Sequence, residues 1–173
     1  NAIDAAVTAA AVLAVVEPSM NGIGGDLLAI VYEGSTGKLH ALDSTGRSAH
    51  AATPQEFARR GHAEMPANGV LAVDVPGVVE GWHQLLSRFG TITLARALEP
   101  AIRFAHDGFP VAELMANEWR ENVNALSADP HTAATFLPAG RPPGHGEGFA
   151  NARLATSLER IARDRSEEHT SEL

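Results

Sequence analysis

Apolar residues run almost uninterrupted through the beginning of the chain, where only Asp4 and Thr8 break a series of Ala, Val, Leu and Ile over residues 2–16. This pattern predicts a helix that is buried on most of its faces, because a surface helix would carry a polar face. The pattern is already helical at Ala2, so we expect no capping residue before it, and the beginning of the sequence has the character of a truncation.

A hairpin is predicted next. A short apolar run over residues 27–32 is typical of a core strand, an alternating run over residues 38–43 predicts a second strand, and a glycine-containing turn at residues 34–37 joins them. A glycine-rich connector at residues 21–26 precedes the hairpin. Its glycines either allow a tight turn, through positive φ or close backbone approach, or line a substrate site, and the residues favour neither alternative.

The rest of the chain is mostly helical by pattern. Thr53, followed by Pro54 and by Glu56, predicts a capped short helix. A further strand is predicted over residues 71–75, and a Pro/Gly-rich surface loop over residues 137–148. Four longer helices are predicted over residues 78–89, 94–106, 112–126 and 151–163. The pattern therefore indicates an α+β fold.

Composition and charge narrow the function classes. The 173 residues are 45% hydrophobic and 20% charged, which is typical of a globular protein, and the net charge is −8 with a single lysine. An acidic chain without a basic cluster disfavours nucleic acid and anionic lipid as partners. No stretch approaches the roughly 20 apolar residues of a membrane span. The absence of cysteine excludes disulfides, thiolate metal sites and a cysteine nucleophile.

Candidate chemistry is sparse. None of the eight histidines forms a His-x-His or His-Glu-x-x-His pair, so we expect no metal site. Asp43 ends the second predicted strand and is either a site carboxylate or a turn cap. Arg47 follows in a polar loop, where its guanidinium either binds a substrate carboxylate or makes a structural salt bridge.

Six motifs in collinear order closely resemble gamma-glutamyltranspeptidases over residues 1–164. They are NAIDAAV at residues 1–7, EP at 17–18 with GIGG at 22–25, LD at 42–43 with AT at 52–53, PGVVEG at 76–81, EPAI at 99–102 with GFPV at 108–111, and the amphipathic segment 151–162. Each motif alone is weak, whereas the ordered set is specific.

The resemblance implies an N-terminal nucleophile hydrolase, in which two antiparallel sheets lie between layers of helices (an αββα sandwich), with this chain forming part of the large subunit. Such a precursor cuts itself, and the new N-terminal threonine of the small subunit attacks a gamma-glutamyl amide such as glutathione. That threonine lies outside the chain, so no catalytic residue is assigned, no cofactor is expected, and the chain alone should be inactive. The partners implied are the substrate and the small subunit of the same precursor. The family favours a periplasmic or extracellular location, and a cytoplasmic one stays open for a divergent member.

The expected substrate-binding arginine is displaced. Typical members place an arginine that binds the alpha-carboxylate two residues after the strand-ending aspartate, where this sequence has Thr45, and the nearest arginine is Arg47. Together with Gly-Gly-Asp at residues 24–26, this resembles a divergent branch that includes oxamate amidohydrolase-like and cephalosporin-acylase-like enzymes. A non-catalytic binding or structural domain with the same fold is the alternative from another class.

Residues 165–173 carry no helical or strand periodicity. They match the in-frame translation of a common sequencing-adapter oligonucleotide, so we predict a non-native tail after a natural segment of residues 1–164. The alternative is a frayed, acidic terminus.

Overall fold

A computed structural model of the chain describes residues 1–66 and 69–164. The predicted tail at residues 165–173 lies outside this range. The fold is α+β, as predicted, and divides into a larger unit, residues 1–22 with the chain from His83 onward, and a smaller unit, residues 23–82. The helices are α1 (Ala2–Val16), α2 (Pro54–Arg59), α3 (Val78–Phe89), α4 (Leu94–Asp107), α5 (Glu113–Glu121), α6 (Val123–Ser127), α7 (Pro130–Phe136) and α8 (Ala152–Asp164), and the strands are β1 (Leu27–Glu33), β2 (Lys38–Ser44), β3 (Phe109–Pro110) and β4 (Gly148–Phe149).

Helix α1 has the predicted bounds but not the predicted environment. Asn1 caps it, since its side-chain oxygen accepts hydrogen bonds from the N–H groups of Ile3 (2.8 Å) and Asp4 (3.1 Å). The expectation of an uncapped start was wrong because a short amide before an apolar run is itself a capping signal. Burial is confined to one face, which includes Val7 and Ala11, and Leu13 is 38% exposed.

The carboxylate of Asp4 ties α1 to the segment before α4. It is buried and accepts hydrogen bonds from the Thr91 N–H (2.8 Å) and the Thr91 hydroxyl (2.6 Å). A hydrogen bond from the Asn1 amino group is the largest cause that lowers the pKa of Asp4, and the two bonds from Thr91 follow. Together they hold this pKa well below its usual range. A Cβ on Gly90 would lie 2.7 Å from the Leu86 carbonyl oxygen and 2.9 Å from the same carboxylate, so the position requires glycine.

The core of the larger unit forms where α4 packs against α1 and α8. Two of the five buried residues of α1 and three of the four buried residues of α4 are alanine, and such small side chains let two helices approach closely. Leu98 and Leu158 are fully buried. An aromatic cluster of Phe109, Trp119, Phe136 and Phe149 fills another part of this unit, with ring centroids 4.8 Å apart for Trp119 and Phe149.

Two predictions in the larger unit need correction. The helix expected over residues 112–126 is divided into α5 and α6 at Asn122, whose ψ of 15° leaves the helical region. Helix α7 was missed, although Asp129 accepts a hydrogen bond from the Thr132 N–H (2.8 Å) and Pro130 occupies the first turn. The loop predicted at residues 137–148 ends in the short strand β4, which pairs with β3.

Strands β1 and β2 form the predicted antiparallel hairpin, in a register that pairs Leu27 with Ser44 and Glu33 with Lys38. The interpretation of β1 as a core strand was wrong in this structure. Its side chains alternate between half-buried and exposed, and Leu28, Ile30 and Tyr32 are 73%, 79% and 66% exposed. The periodicity of two places every second apolar residue on the opposite face.

Among the described residues, no helix is long and apolar enough to cross a membrane.

Residues 71–75 do not form the predicted strand. A 3₁₀ turn spans Val70–Ala72, and Val70 and Val73 are 85% and 67% exposed. Within the described chain, this segment has a backbone hydrogen bond from the Val75 N–H to the Arg47 carbonyl oxygen (3.1 Å) and not the series of bonds that pairs two strands. Helix α2 does begin as predicted, because the Thr53 hydroxyl accepts the Glu56 N–H (3.2 Å).

Candidate functional site

Three segments that the sequence pattern separates widely meet at one place in the smaller unit. They are residues 25–26 of the glycine-rich connector, residues 44–47 from the last residue of β2 onward, and residues 75–78 up to the first residue of α3. We call this place the junction. The sequence identified motifs at all three segments but not that they converge, since nothing in their spacing places them together.

The junction is held by backbone hydrogen bonds. The Gly25 carbonyl oxygen accepts the N–H groups of Gly77 (3.0 Å) and Val78 (2.9 Å), which satisfies donors at the beginning of α3. The Ser44 hydroxyl donates to the Gly77 carbonyl oxygen (2.7 Å). Residues 25–26 and the end of β2 are therefore both fixed to the start of the same helix.

Two glycines make this close approach sterically feasible. A Cβ on Gly46 would lie 1.7 Å from the Val75 carbonyl oxygen, and one on Gly77 would lie 2.0 Å from the Ser44 carbonyl oxygen. Of the connector glycines, Gly22, Gly24 and Gly25 lack positive φ, and a Cβ on Gly24 would meet no atom within 4 Å. Steric contact therefore requires glycine at positions 46 and 77 of the two other segments.

The loop that carries Arg47 is fixed at three consecutive residues. The Thr45 N–H donates to Asp43 (3.0 Å), the Gly46 N–H donates to Asp26 (2.8 Å), and the Arg47 carbonyl oxygen accepts from Val75 (3.1 Å). These contacts define the path of the backbone on both sides of the Arg47 Cα atom.

Asp43 caps its own turn, which is one of the two roles predicted for it. It accepts both the N–H and, at 2.6 Å, the hydroxyl of Thr45. The hydroxyl bond first, and the backbone bond next, lower the pKa of Asp43 below its usual value. Thr45, which occupies the position of the arginine in typical members of the resembled family, is therefore engaged within its own turn.

The Arg47 side chain is exposed. Among residues 1–66 and 69–164, no carboxylate pairs with its guanidinium, so the structural salt bridge left open by the sequence does not form there. An arginine is charged at all relevant pH values and offers a planar fork of donors. Arg47 is thus chemically able to bind a carboxylate.

A cavity of about 450 Å³ lies beside this loop, and Gly46 and Ser48, the two neighbours of Arg47, are part of its wall. Phe57 of α2, Leu71 and Val73 supply apolar surface to the cavity. Glu56, which also lines the cavity, pairs with Arg59 and Arg60, and these bonds lower its pKa to about 2. Sequence reasoning missed the cavity because its walls come from the loop after β2, from α2 and from the 3₁₀ turn, which carry no motif in common.

The histidines form no metal centre within the part of the chain that the structure describes, and no cluster of three or more His, Asp or Glu side chains has ligand geometry there. His40 instead lies 3.4 Å from Glu33, and His106 lies 2.8 Å from Asp107, whose carboxylate raises the pKa of His106.

Comparison with known proteins gives a consistent result. A family model described as gamma-glutamyltranspeptidase matches residues 1–168. The glutathione hydrolase-like YwrD proenzyme of Bacillus subtilis is 37% identical over 94% of this chain, and the oxamate amidohydrolase proenzyme of Klebsiella pneumoniae is 35% identical over 95% of it. The crystal structure of cephalosporin acylase from Bacillus halodurans superposes on 95% of the chain with a TM-score of 0.89 and 37% identity. The chain spans only 31%, 32% and 32% of these three proteins.

Proposed function

Because the chain belongs to the gamma-glutamyltranspeptidase family, we propose that it is part of a self-processing enzyme that cleaves amides of small acyl groups bearing a carboxylate. In this proposal residues 1–164 supply scaffold and one wall of the acyl site, and Arg47 binds the carboxylate. One observation carries the assignment of Arg47. Its guanidinium is exposed and has no ionic partner among the described residues, on a loop whose backbone is held at three consecutive residues.

Two acyl groups fit this proposal. A gamma-glutamyl compound such as glutathione carries an alpha-carboxylate, and oxamate carries a carboxylate next to its amide. The position of Arg47 and the use of the Thr45 hydroxyl by Asp43 favour the divergent branch of the family. The relatives include a glutathione hydrolase-like protein as well as an oxamate amidohydrolase and a cephalosporin acylase, so the comparisons are compatible with both acyl groups.

The proposed reaction uses a threonine that lies outside this chain. Its hydroxyl oxygen attacks the amide carbon while its own amine accepts the hydroxyl proton, and the leaving amine departs with that proton. Water then hydrolyses the resulting ester and regenerates the threonine, or an acceptor amine takes the acyl group. Arg47 contributes by binding the carboxylate, which lowers KM for substrates that carry one.

The experiment uses a full-length precursor that contains this chain. We expect mass spectrometry to show two polypeptides after incubation, the smaller beginning with threonine. We also expect release of p-nitroaniline from gamma-glutamyl-p-nitroanilide or of ammonia from oxamate. A precursor that stays intact under native conditions and hydrolyses neither compound would support the non-catalytic binding domain and contradict the proposal.

A further inference from the structure

We propose that Asp26 is a positioning residue for Arg47, which it holds in place through the Gly46 N–H. This inference rests on the proposed role of Arg47 in binding a substrate carboxylate. It assigns the acidic residue of the glycine-rich connector a part in substrate recognition, although Asp26 itself touches the loop backbone and not the guanidinium.

The contact that carries the inference is the 2.8 Å hydrogen bond from the Gly46 N–H to an Asp26 carboxylate oxygen. It spans twenty positions of sequence and joins the connector to the loop. The two other hydrogen bonds that fix this loop come from elsewhere. Asp43 accepts the Thr45 N–H within the same turn, and the Val75 N–H, from the segment before α3, donates to the Arg47 carbonyl oxygen. Asp26 therefore supplies the restraint on the loop from the connector side, directly before Arg47.

Asp26 is able to restrain the loop because its own backbone is anchored. The preceding residue, Gly25, accepts the N–H groups of Gly77 and Val78 at the beginning of α3. The carboxylate thus projects from a segment that is tied to a helix, and it transfers that rigidity to Gly46. A rigid base is required, because a side chain on a mobile segment would follow the loop and fix nothing.

The expected consequence is selective for the carboxylate. Removal of the Asp26 acceptor leaves the Gly46 N–H without its partner and lets the residues around Arg47 sample other conformations. Substrates that use Arg47 then bind more weakly, while an analogue without the carboxylate loses nothing. Asparagine at this position retains a side-chain oxygen that can accept the same N–H. If Asp26 acts through its negative charge, Asp26→Asn will not restore carboxylate binding. If it acts by accepting the Gly46 N–H, Asp26→Asn will restore it.

The test compares kinetics of the full-length enzyme on matched substrates. Gamma-glutamyl-p-nitroanilide and 4-aminobutyryl-p-nitroanilide differ by the alpha-carboxylate, and oxamate and acetamide form the corresponding pair if oxamate is the compound hydrolysed. The variants are Asp26→Ala, Asp26→Asn, Arg47→Ala and the double variant Asp26→Ala/Arg47→Ala. Asp107→Ala is the control, since Asp107 is an exposed aspartate of the other unit.

We expect Asp26→Ala to raise KM for the carboxylate substrate by about 5-fold to 10-fold, as for loss of one hydrogen bond, with kcat nearly unchanged. Asp26→Asn should restore KM, and the double variant should be no worse than Arg47→Ala alone, because both changes act on one interaction. Hydrogen exchange by mass spectrometry should show faster exchange at Gly46 in Asp26→Ala but not in Asp26→Asn.

Three outcomes would overturn the inference. An active Asp26→Ala enzyme that matches Asp107→Ala, or equal losses on both substrates of a pair, excludes a positioning role. If Asp26→Ala does not fold, the test uses Asp26→Ser instead, because the serine side chain is too short for its oxygen to reach Gly46. The same KM criterion then applies. A wild-type enzyme that hydrolyses no amide contradicts the proposed function and with it this role, a result distinct from an active enzyme indifferent to Asp26.

Discussion

Substitution of Gly46 by alanine is the sharpest perturbation of the junction. The new Cβ would lie 1.7 Å from the Val75 carbonyl oxygen and 2.8 Å from the Val75 carbonyl carbon. Both are backbone atoms, which no rotamer change can move. The two segments must separate by more than about 1.5 Å before these atoms reach ordinary van der Waals contact. Gly24→Ala is the matched control, because its Cβ would meet no atom within 4 Å and its backbone lacks positive φ.

The size of the effect follows from the bonds that this separation breaks. Two neutral hydrogen bonds join the segments, from the Val75 N–H to Arg47 (3.1 Å) and from the Ser44 hydroxyl to Gly77 (2.7 Å). At about 0.5 to 1.5 kcal/mol each, their loss costs about 1 to 3 kcal/mol of local stability. This corresponds to an increase of about 5-fold to 140-fold in the open fraction of the junction.

Hydrogen exchange of the full-length protein measures that fraction directly. We expect the Val75 amide to exchange faster in Gly46→Ala by the factor above, and Gly24→Ala to exchange like the wild type. Equal exchange at Val75 in the wild type and in Gly46→Ala would refute the reasoning, because the close approach would then not depend on the missing side chain.

Two further predictions concern the larger unit. Leu98→Ala removes a side chain that is 0% exposed and should lower the free energy of unfolding by about 2 to 5 kcal/mol. Leu114→Ala, at a position 62% exposed, should change it by less than about 0.5 kcal/mol, and chemical denaturation that fails to separate the two would contradict the assigned core. The lowered pKa of Asp4 means that its contribution to stability is complete above about pH 4 and is lost as the pH falls further. Asp4→Asn should therefore melt at a lower temperature at pH 7 and show a smaller additional loss on acidification, and parallel melting curves from pH 7 to pH 3 would exclude this role.

Elements with a clear local signal were predictable from the sequence. The bounds of α1 and α3 follow from apolar periodicity, and α2 follows from the Thr53 cap. The failures have local causes too. The break at Asn122 leaves the apolar pattern intact, so periodicity continues across it. Residues 71–75 have strand composition, but strand formation depends on a partner, and the one backbone bond at Val75 does not make a ladder.

The candidate site was predictable only in part. The sequence identified Arg47 and Asp43 as residues of interest and left their roles open. The contact between Asp26 and Gly46, and the close approach of Gly77 to Ser44, depend on tertiary structure and leave no periodic trace. The glycine motif at residues 22–25 drew attention to the right segment, while the glycines that steric contact requires are Gly46 and Gly77.

The central claim is that Arg47 binds the carboxylate of the acyl group in an amide-cleaving enzyme. The most direct measurement is the ratio of kcat/KM for gamma-glutamyl-p-nitroanilide to that for 4-aminobutyryl-p-nitroanilide, or for oxamate to acetamide, in the full-length enzyme and its Arg47→Ala variant. Loss of a charged hydrogen bond costs about 1.5 to 3 kcal/mol, so the ratio should fall by about 10-fold to 140-fold. A ratio that Arg47→Ala leaves unchanged would contradict the claim.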